Sequence, residues 1–398
     1  MPSSEIGERL KRARKRRGLT QRGLAESSGV SVSLIRKLEQ GERGDTRLET
    51  ARRLAAALRI PTTKLVAAEV TDADPAAGAD VDRWAGVRAA LDTPEPGATD
   101  EVPTIGGVRA ALDDAIASYT SGGLQGMSLM LPGLLRDAHA LADTHPQGRS
   151  LRAEVMQITG RLMTQTRNYG AADIAFAAVE RDAPDALHGA ALANNRVWLL
   201  LRRGRLAAAS ALAVQWADDL EPRLSRASAG ELSAWGWVLL RVAATASRDN
   251  RPDEAEMALR LATAAAVTMG RAQTSTATKR AGFIRRFSGL TVAMQQAEQA
   301  MVEERPDAVL RLAKRINAVN LPASTGNRNR HLLDVAHAQV LTRRNGEAIE
   351  TLLTVEQDAP QWLPHQRYAR EVLGLIVEQR RTLTPEMRRL AEVVRLPL

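Results

Sequence analysis

The chain has 398 residues, 44% of them apolar and 25% charged, with six Trp, three Tyr, three Phe and no Cys. That length suits two or three domains with real cores, and zero Cys excludes a disulfide framework, thiol catalysis and Cys-ligated zinc. No uncharged apolar run reaches about 18 residues, so no membrane span is expected. The opening MPSSEIGERLKRARKRRG is charged rather than apolar, so no secretory signal is expected and the expected compartment is the cytoplasm.

The net charge of +9 is unevenly spread. Residues 1–70 hold 16 Lys and Arg against 8 Asp and Glu, whereas the remainder holds 39 against 38. A small basic unit joined to a large neutral one points to a polyanion reader with a second task elsewhere.

In chain order, five short amphipathic helices are predicted before residue 70. Ile6, Leu10 and Ala13 stripe the first, which ends at Gly18. Thr20 caps the second, with Leu24 and Ala25, and Ser31 caps the third, with Leu34, Ile35 and Leu38. Val30 to Leu34 alternates like a strand but is too short, and a helical stripe follows at once. Leu48, Ala51, Leu54, Ala55 and Leu58 mark the fourth helix, and Pro61 opens a fifth.

Residues 71–104 carry eight acidic and two basic residues among Pro and Gly, and read as a linker with a short helix around Trp84 to Leu91. The heptapeptide GVRAALD occurs there at 86–92 and again at 107–113. From 105 to 398 nearly every segment is helical, with prolines between the stripes. In 151–184, Gly160, Ala172, Phe176 and Pro184 resemble the small, Ala, aromatic and Pro slots of the tetratricopeptide repeat. Ala209, Ala255, Ala308 and Ala348 mark further copies at irregular spacing; a generic α-solenoid is the alternative. The fold class expected is therefore all-α: a five-helix repressor-type domain over 1–70, then an α-solenoid of tetratricopeptide-like hairpins.

The segment from Leu19 to Gly41, LTQRGLAESSGVSVSLIRKLEQG, resembles the helix-turn-helix of the lambda-repressor and Cro (XRE) family, a resemblance covering roughly residues 3–68. Ala25 stands where the two helices cross, Gly29 takes the left-handed turn, and Ile35 and Leu38 face inward. Gly23 departs from the pattern, where a helix former is usual, at a cost of about 1 kcal/mol. The resemblance implies that the helix begun by Ser31 enters the major groove of double-stranded DNA. Val32, Ser33, Arg36 and Lys37 would then face bases, with Ser31 at the edge, while Gln21, Gln40, Arg43 and Arg47 meet phosphates. It also implies a structural ion pair between Arg14 and Glu39. Heads of this kind act in pairs, so a homodimer on an inverted-repeat operator is implied.

No enzyme chemistry is legible. The six histidines (139, 145, 188, 331, 337 and 365) form no His-Glu-x-x-His, and no phosphate loop, G-x-G-x-x-G or G-x-S-x-G occurs. No catalytic residue, cofactor or metal is expected. A helix-turn-helix head joined to such repeats resembles the RRNPP group of peptide-sensing regulators, and this implies a concave surface that binds a signalling peptide or small molecule. Counting from the repeat alanines places Gln157, Arg161, Asn194, Trp198, Trp237 and His337 on it, where amides can hold a peptide backbone and Arg161 a carboxylate. The alternative is a repeat region that only docks a partner protein.

Overall fold

The computed structural model describes residues 5–43, 46–66, 83–92, 102–270, 287–316 and 325–398; among these every regular element is helical. The chain divides into two compact units. One comprises Met1–Asp80, Ala193–Glu221 and Trp237–Ala262, and the other comprises Val81–Leu192, Pro222–Gly236 and Thr263–Leu398.

The N-terminal helices are α1 (Glu5–Arg16), α2 (Gln21–Ser28), α3 (Val32–Glu39) and α4 (Leu48–Ala57). Their starts and stops follow local chemistry. The Thr20 hydroxyl accepts from the Gly23 amide at 2.9 Å, and the Ser31 hydroxyl accepts from Leu34 at 3.3 Å, each satisfying an orphan donor of a first turn. Gly29 closes α2 in the left-handed region, φ 65°, with its amide bonded to the Ala25 carbonyl. The strand-like Val30 to Leu34 is thus a turn followed by the start of α3. Leu10, Leu24, Ile35, Leu38, Leu54 and Leu58 are fully buried around one core. The fifth element, after Pro61, is a single 3₁₀ turn at Thr62–Lys64.

The acidic segment contributes α5 (Ala85–Asp92), packed on α7 (Leu124–Thr144) and α9 (Tyr169–Asp182); the rest of that segment lies largely outside the described residues. The second GVRAALD copy opens α6 (Ile105–Thr120). Both copies bury the same two positions, Val87 and Leu91 in one, Val108 and Leu112 in the other. After α8 (Gly148–Gln165) come α10 (Ala186–Arg202), α11 (Leu206–Asp219), α12 (Ala229–Arg248) and α13 (Pro252–Met269). They are followed by α14 (Gly289–Val302), α15 (Pro306–Arg315), α16 (Thr325–Leu341), α17 (Asn345–Asp358), α18 (Arg367–Glu378) and α19 (Pro385–Val394).

Six of the connections are the same turn. In each, a residue at positive φ stands two positions before the second helix: Gly122, Arg167, Gly204, Asn250, Glu304 and Arg343. In each, the following amide reaches back five residues to a helix-end carbonyl, as Asn168 to Met163, Arg205 to Leu200, Arg251 to Ala246 and Arg344 to Gln339. This is the Schellman closure, and a turn this short folds the second helix back on the first. The fifth residue after each positive-φ residue is completely buried: Met127, Ala172, Ala209, Ala255, Val309 and Ala348. The sequence spacing marks four of these. It misses Met127, which is not small, and it names Ala308, which is only half-buried, one place short of Val309. At the best-matched hairpin, a Cβ added to Gly160 would lie 2.3 Å from the Phe176 ring, so α8 and α9 meet more closely than any side chain at 160 permits. Gly236 of α12 makes the same kind of contact with Phe287, at 2.2 Å.

Candidate nucleic-acid interface

The basic unit presents α3 with its hydrophobic side anchored and its opposite side open. Ile35 and Leu38 are buried, whereas Ser31, Ser33, Arg36 and Lys37 are exposed and Val32 is half-exposed. Beyond the helix, Gln40, Arg43 and Arg47 are exposed as well. Along α3 the burial alternates with helical period, so Ser33, Arg36 and Lys37 share the side opposite Ile35 and Leu38.

A buried ion pair fixes the far end of α3. The Arg14 guanidinium donates to both Glu39 carboxylate oxygens, at 2.6 and 2.7 Å, and to the Leu19 carbonyl at 2.7 Å. Gln21, the first residue of α2, adds a third bond to Glu39 at 2.9 Å. Burial alone would raise the Glu39 carboxyl, but the bonds from Arg14 and Gln21 outweigh it and hold the group below the usual carboxylate value. The last residue of α3 is thereby tied to α1 and to the start of α2. This geometry also engages the Gln21 amide, which the sequence pattern assigns to a phosphate.

Residues 10–65 match the family model described as helix-turn-helix. The match places a helix-turn-helix segment at the N-terminal end of the chain. Over 65 residues the chain is 42% identical to an uncharacterized HTH-type transcriptional regulator, RghRB, of Bacillus subtilis (strain 168), covering 16% of this chain and 47% of that protein. Over 56 residues it is 46% identical to the HTH-type transcriptional repressor RghR of the same organism, covering 14% of this chain and 42% of that protein. The chain therefore spans less than half the length of these relatives. No solved structure gives a significant match.

The six side chains predicted for a concave surface all lie on the first helix of a hairpin, and most are covered. Gln157 and Arg161 sit on α8, a helix buried on nearly every side. The Gln157 amide donates to the His188 carbonyl at 3.4 Å, and the Arg161 guanidinium lies 5.6 Å from the centre of the Tyr119 ring. Asn194, 4% exposed, accepts from Arg241 at 2.8 Å; Trp237 is buried and Trp198 half-buried. His337 bonds through Nδ1 to the Tyr368 hydroxyl at 2.9 Å.

Around His337 the structure assembles groups the sequence pattern did not single out. The Arg330 guanidinium lies 4.4 Å from the Tyr368 ring centre and 3.6 Å from the buried Asp334 carboxylate. Burial and Asp334 together hold the Tyr368 hydroxyl well above its usual value, so it stays protonated. On the same helix, Asn329 is fully buried with neither amide atom bonded, and burial pushes His331 down to about 4. The only sequence signal for this cluster was its run of polar residues, Thr325 to His331, opening an otherwise apolar helix.

Proposed function

We propose that this protein is a DNA-binding transcription regulator whose helix-turn-helix domain reads an operator through α3, and whose helical hairpins dimerise the chain and sense a peptide or small molecule. The observation that carries the reading is the helix-turn-helix match over 10–65, together with the open side of α3 bearing Ser33, Arg36 and Lys37. Transcriptional names on both relatives support the same role.

In this reading Val32 contacts a thymine methyl, Ser33 hydrogen-bonds a base edge, and Arg36 or Lys37 donates to guanine. Gln21, Gln40, Arg43 and Arg47 hold the backbone, Gln21 while also bonded to Glu39. The test is selection of DNA fragments by the purified protein, followed by titration of Arg36→Ala and Lys37→Ala. Each exposed contact is worth about 1–3 kcal/mol of discrimination, so both variants weaken binding without loss of fold. Wild-type affinity in both would place the recognition surface elsewhere.

One small head makes few contacts, so the functional unit is a homodimer on an inverted repeat, with half-sites about 10 base pairs apart or a multiple of that. A monomer by light scattering, on and off DNA, would remove this part. The sensing assignment rests on the six equivalent hairpin turns with their buried slot, which support a tetratricopeptide-like architecture similar to that of RRNPP-type regulators. Gln157, Arg161, Asn194, Trp198, Trp237 and His337 are the side chains assigned to the ligand. Native mass spectrometry tests it: a stoichiometric small adduct supports sensing, and a co-purifying protein supports partner docking instead.

A further inference from the structure

The turn between α12 and α13 shares the backbone of the five others but not their chemistry. Its residues are Asp249 and Asn250, where the equivalent pairs are Ser121-Gly122, Thr166-Arg167, Arg203-Gly204, Glu303-Glu304 and Thr342-Arg343. Both side chains reach the helix-turn-helix domain. The Thr63 amide donates to Asp249 Oδ1 at 2.8 Å, and the Thr63 hydroxyl to Asp249 Oδ2 at 3.2 Å. The Thr62 hydroxyl donates to the Arg248 carbonyl at 2.7 Å, and the Thr62 amide lies 3.4 Å from the Asp249 carbonyl. Asn250 donates from Nδ2 to the Arg52 carbonyl and to the Thr62 hydroxyl, each at 3.2 Å.

These contacts have the form of a helix cap supplied from elsewhere in the chain. The 3₁₀ turn Thr62–Lys64 follows Pro61, whose side chain makes no capping bond, so its first amides need an outside acceptor. Asp249 supplies that acceptor and is itself ion-paired to Arg251 at 2.9 Å. Thr62 is fully buried and Asp249 is 4% exposed, so water does not compete at the centre of the contact. The left-handed conformation at Asn250, φ 55°, is tolerated by Asn better than by most residues, and it carries the amide toward the Arg52 carbonyl.

We propose that the Asp249–Asn250 turn is a docking surface for the helix-turn-helix domain of the same chain, so that displacement of the α12–α13 hairpin moves the recognition helix. The docking stands apart from the DNA-binding reading; the coupling to the recognition helix rests on it, and the two are tested separately.

The chain has no Cys, so an engineered pair reports unambiguously. Full-length protein carrying Thr63→Cys and Asp249→Cys, mildly oxidised, should form an intramolecular disulfide in most molecules. Cross-links only between chains, or none, overturn docking within one chain. In hydrogen exchange of the cysteine-free protein, Asp249→Ala should accelerate the Thr63 amide about tenfold or more while α16 to α18 keep their protection. Thr62→Val, made from the other side of the contact, should act in the same direction. If neither variant changes exchange at 62–66, the docking is refuted. With DNA selected by the wild type, Asp249→Ala should change affinity about threefold or more although every proposed base contact is intact. Faster exchange with unchanged affinity refutes the coupling and leaves the docking; a wild type that selects no DNA refutes the regulatory reading instead.

Discussion

Replacing Glu39 by Ala removes the acceptor of three bonds at the end of the recognition helix without touching its exposed side. The pair is well buried, with Arg14 11% and Glu39 3% exposed. Deleting one partner of such a pair costs about 3–5 kcal/mol, because the remaining charge is left uncompensated. Arg14 keeps its bond to the Leu19 carbonyl and some access to water, which puts the expected cost near the lower end, about 3 kcal/mol. A domain of this size has only about 3–9 kcal/mol in total at 0.05–0.15 kcal/mol per residue. The helix-turn-helix transition should therefore fall by about 12–24 °C, taking 4–8 °C per kcal/mol for a small domain. DNA binding should fail with it, for lack of folded domain rather than lack of contacts. Calorimetry of the full chain, with exchange of α1 and α3 peptides, measures the first; fluorescence anisotropy on selected DNA measures the second. The double variant Arg14→Met, Glu39→Leu replaces the pair by apolar groups of similar length and should recover most of the stability, since such replacements are often neutral. A Glu39→Ala domain that melts like the wild type, or a double variant no better than the single, would refute the role assigned to the pair.

Gly160→Ala gains about 1 kcal/mol in helix propensity but puts a methyl 2.3 Å from the Phe176 ring, and overpacking of that kind costs about 1–3 kcal/mol. A lower thermal midpoint is expected, relieved in Phe176→Leu; stabilisation by Gly160→Ala alone would contradict the close α8–α9 contact. His331 titrates at about 4 when folded against 6.5 ordinarily, so the unfolded chain takes up the proton first as pH falls. Its contribution is complete above pH 6.5 and declines down to about 4, by roughly 3 kcal/mol in all. His331→Leu should flatten this part of the stability profile; an unchanged slope between pH 6.5 and 4 would exclude His331 as its source. If the hairpins sense a ligand, Asn194→Ala and Arg161→Ala leave unliganded DNA binding near normal and blunt the response to cell extract, a coupling of about 1–3 kcal/mol. Equal responses in all three proteins would move the ligand site elsewhere.

The sequence alone determined what depends on neighbours along the chain. Thr20, Gly29 and Ser31 cap and close short helices through atoms within a few residues, and the 3.6-residue stripe through Ile35 and Leu38 settles which side of α3 is left for a partner. The Gly160 to Pro184 spacing was legible for the same reason: a glycine and a phenylalanine on adjacent helices must meet if the connection is short. Tertiary structure decided everything that needs a distant partner. No local signal joins Thr63 to Asp249, 186 residues away, and Pro61 opens only a 3₁₀ turn, whose cap comes from that distance. The slot register slipped at Ala308 because a small residue is visible in sequence whereas burial is set by the left-handed turn before it, at Glu304. The polar cluster of Arg330, Asp334, His337 and Tyr368 needs α16 and α18 brought together, and its energies come from desolvation, which exists only once the chain has folded.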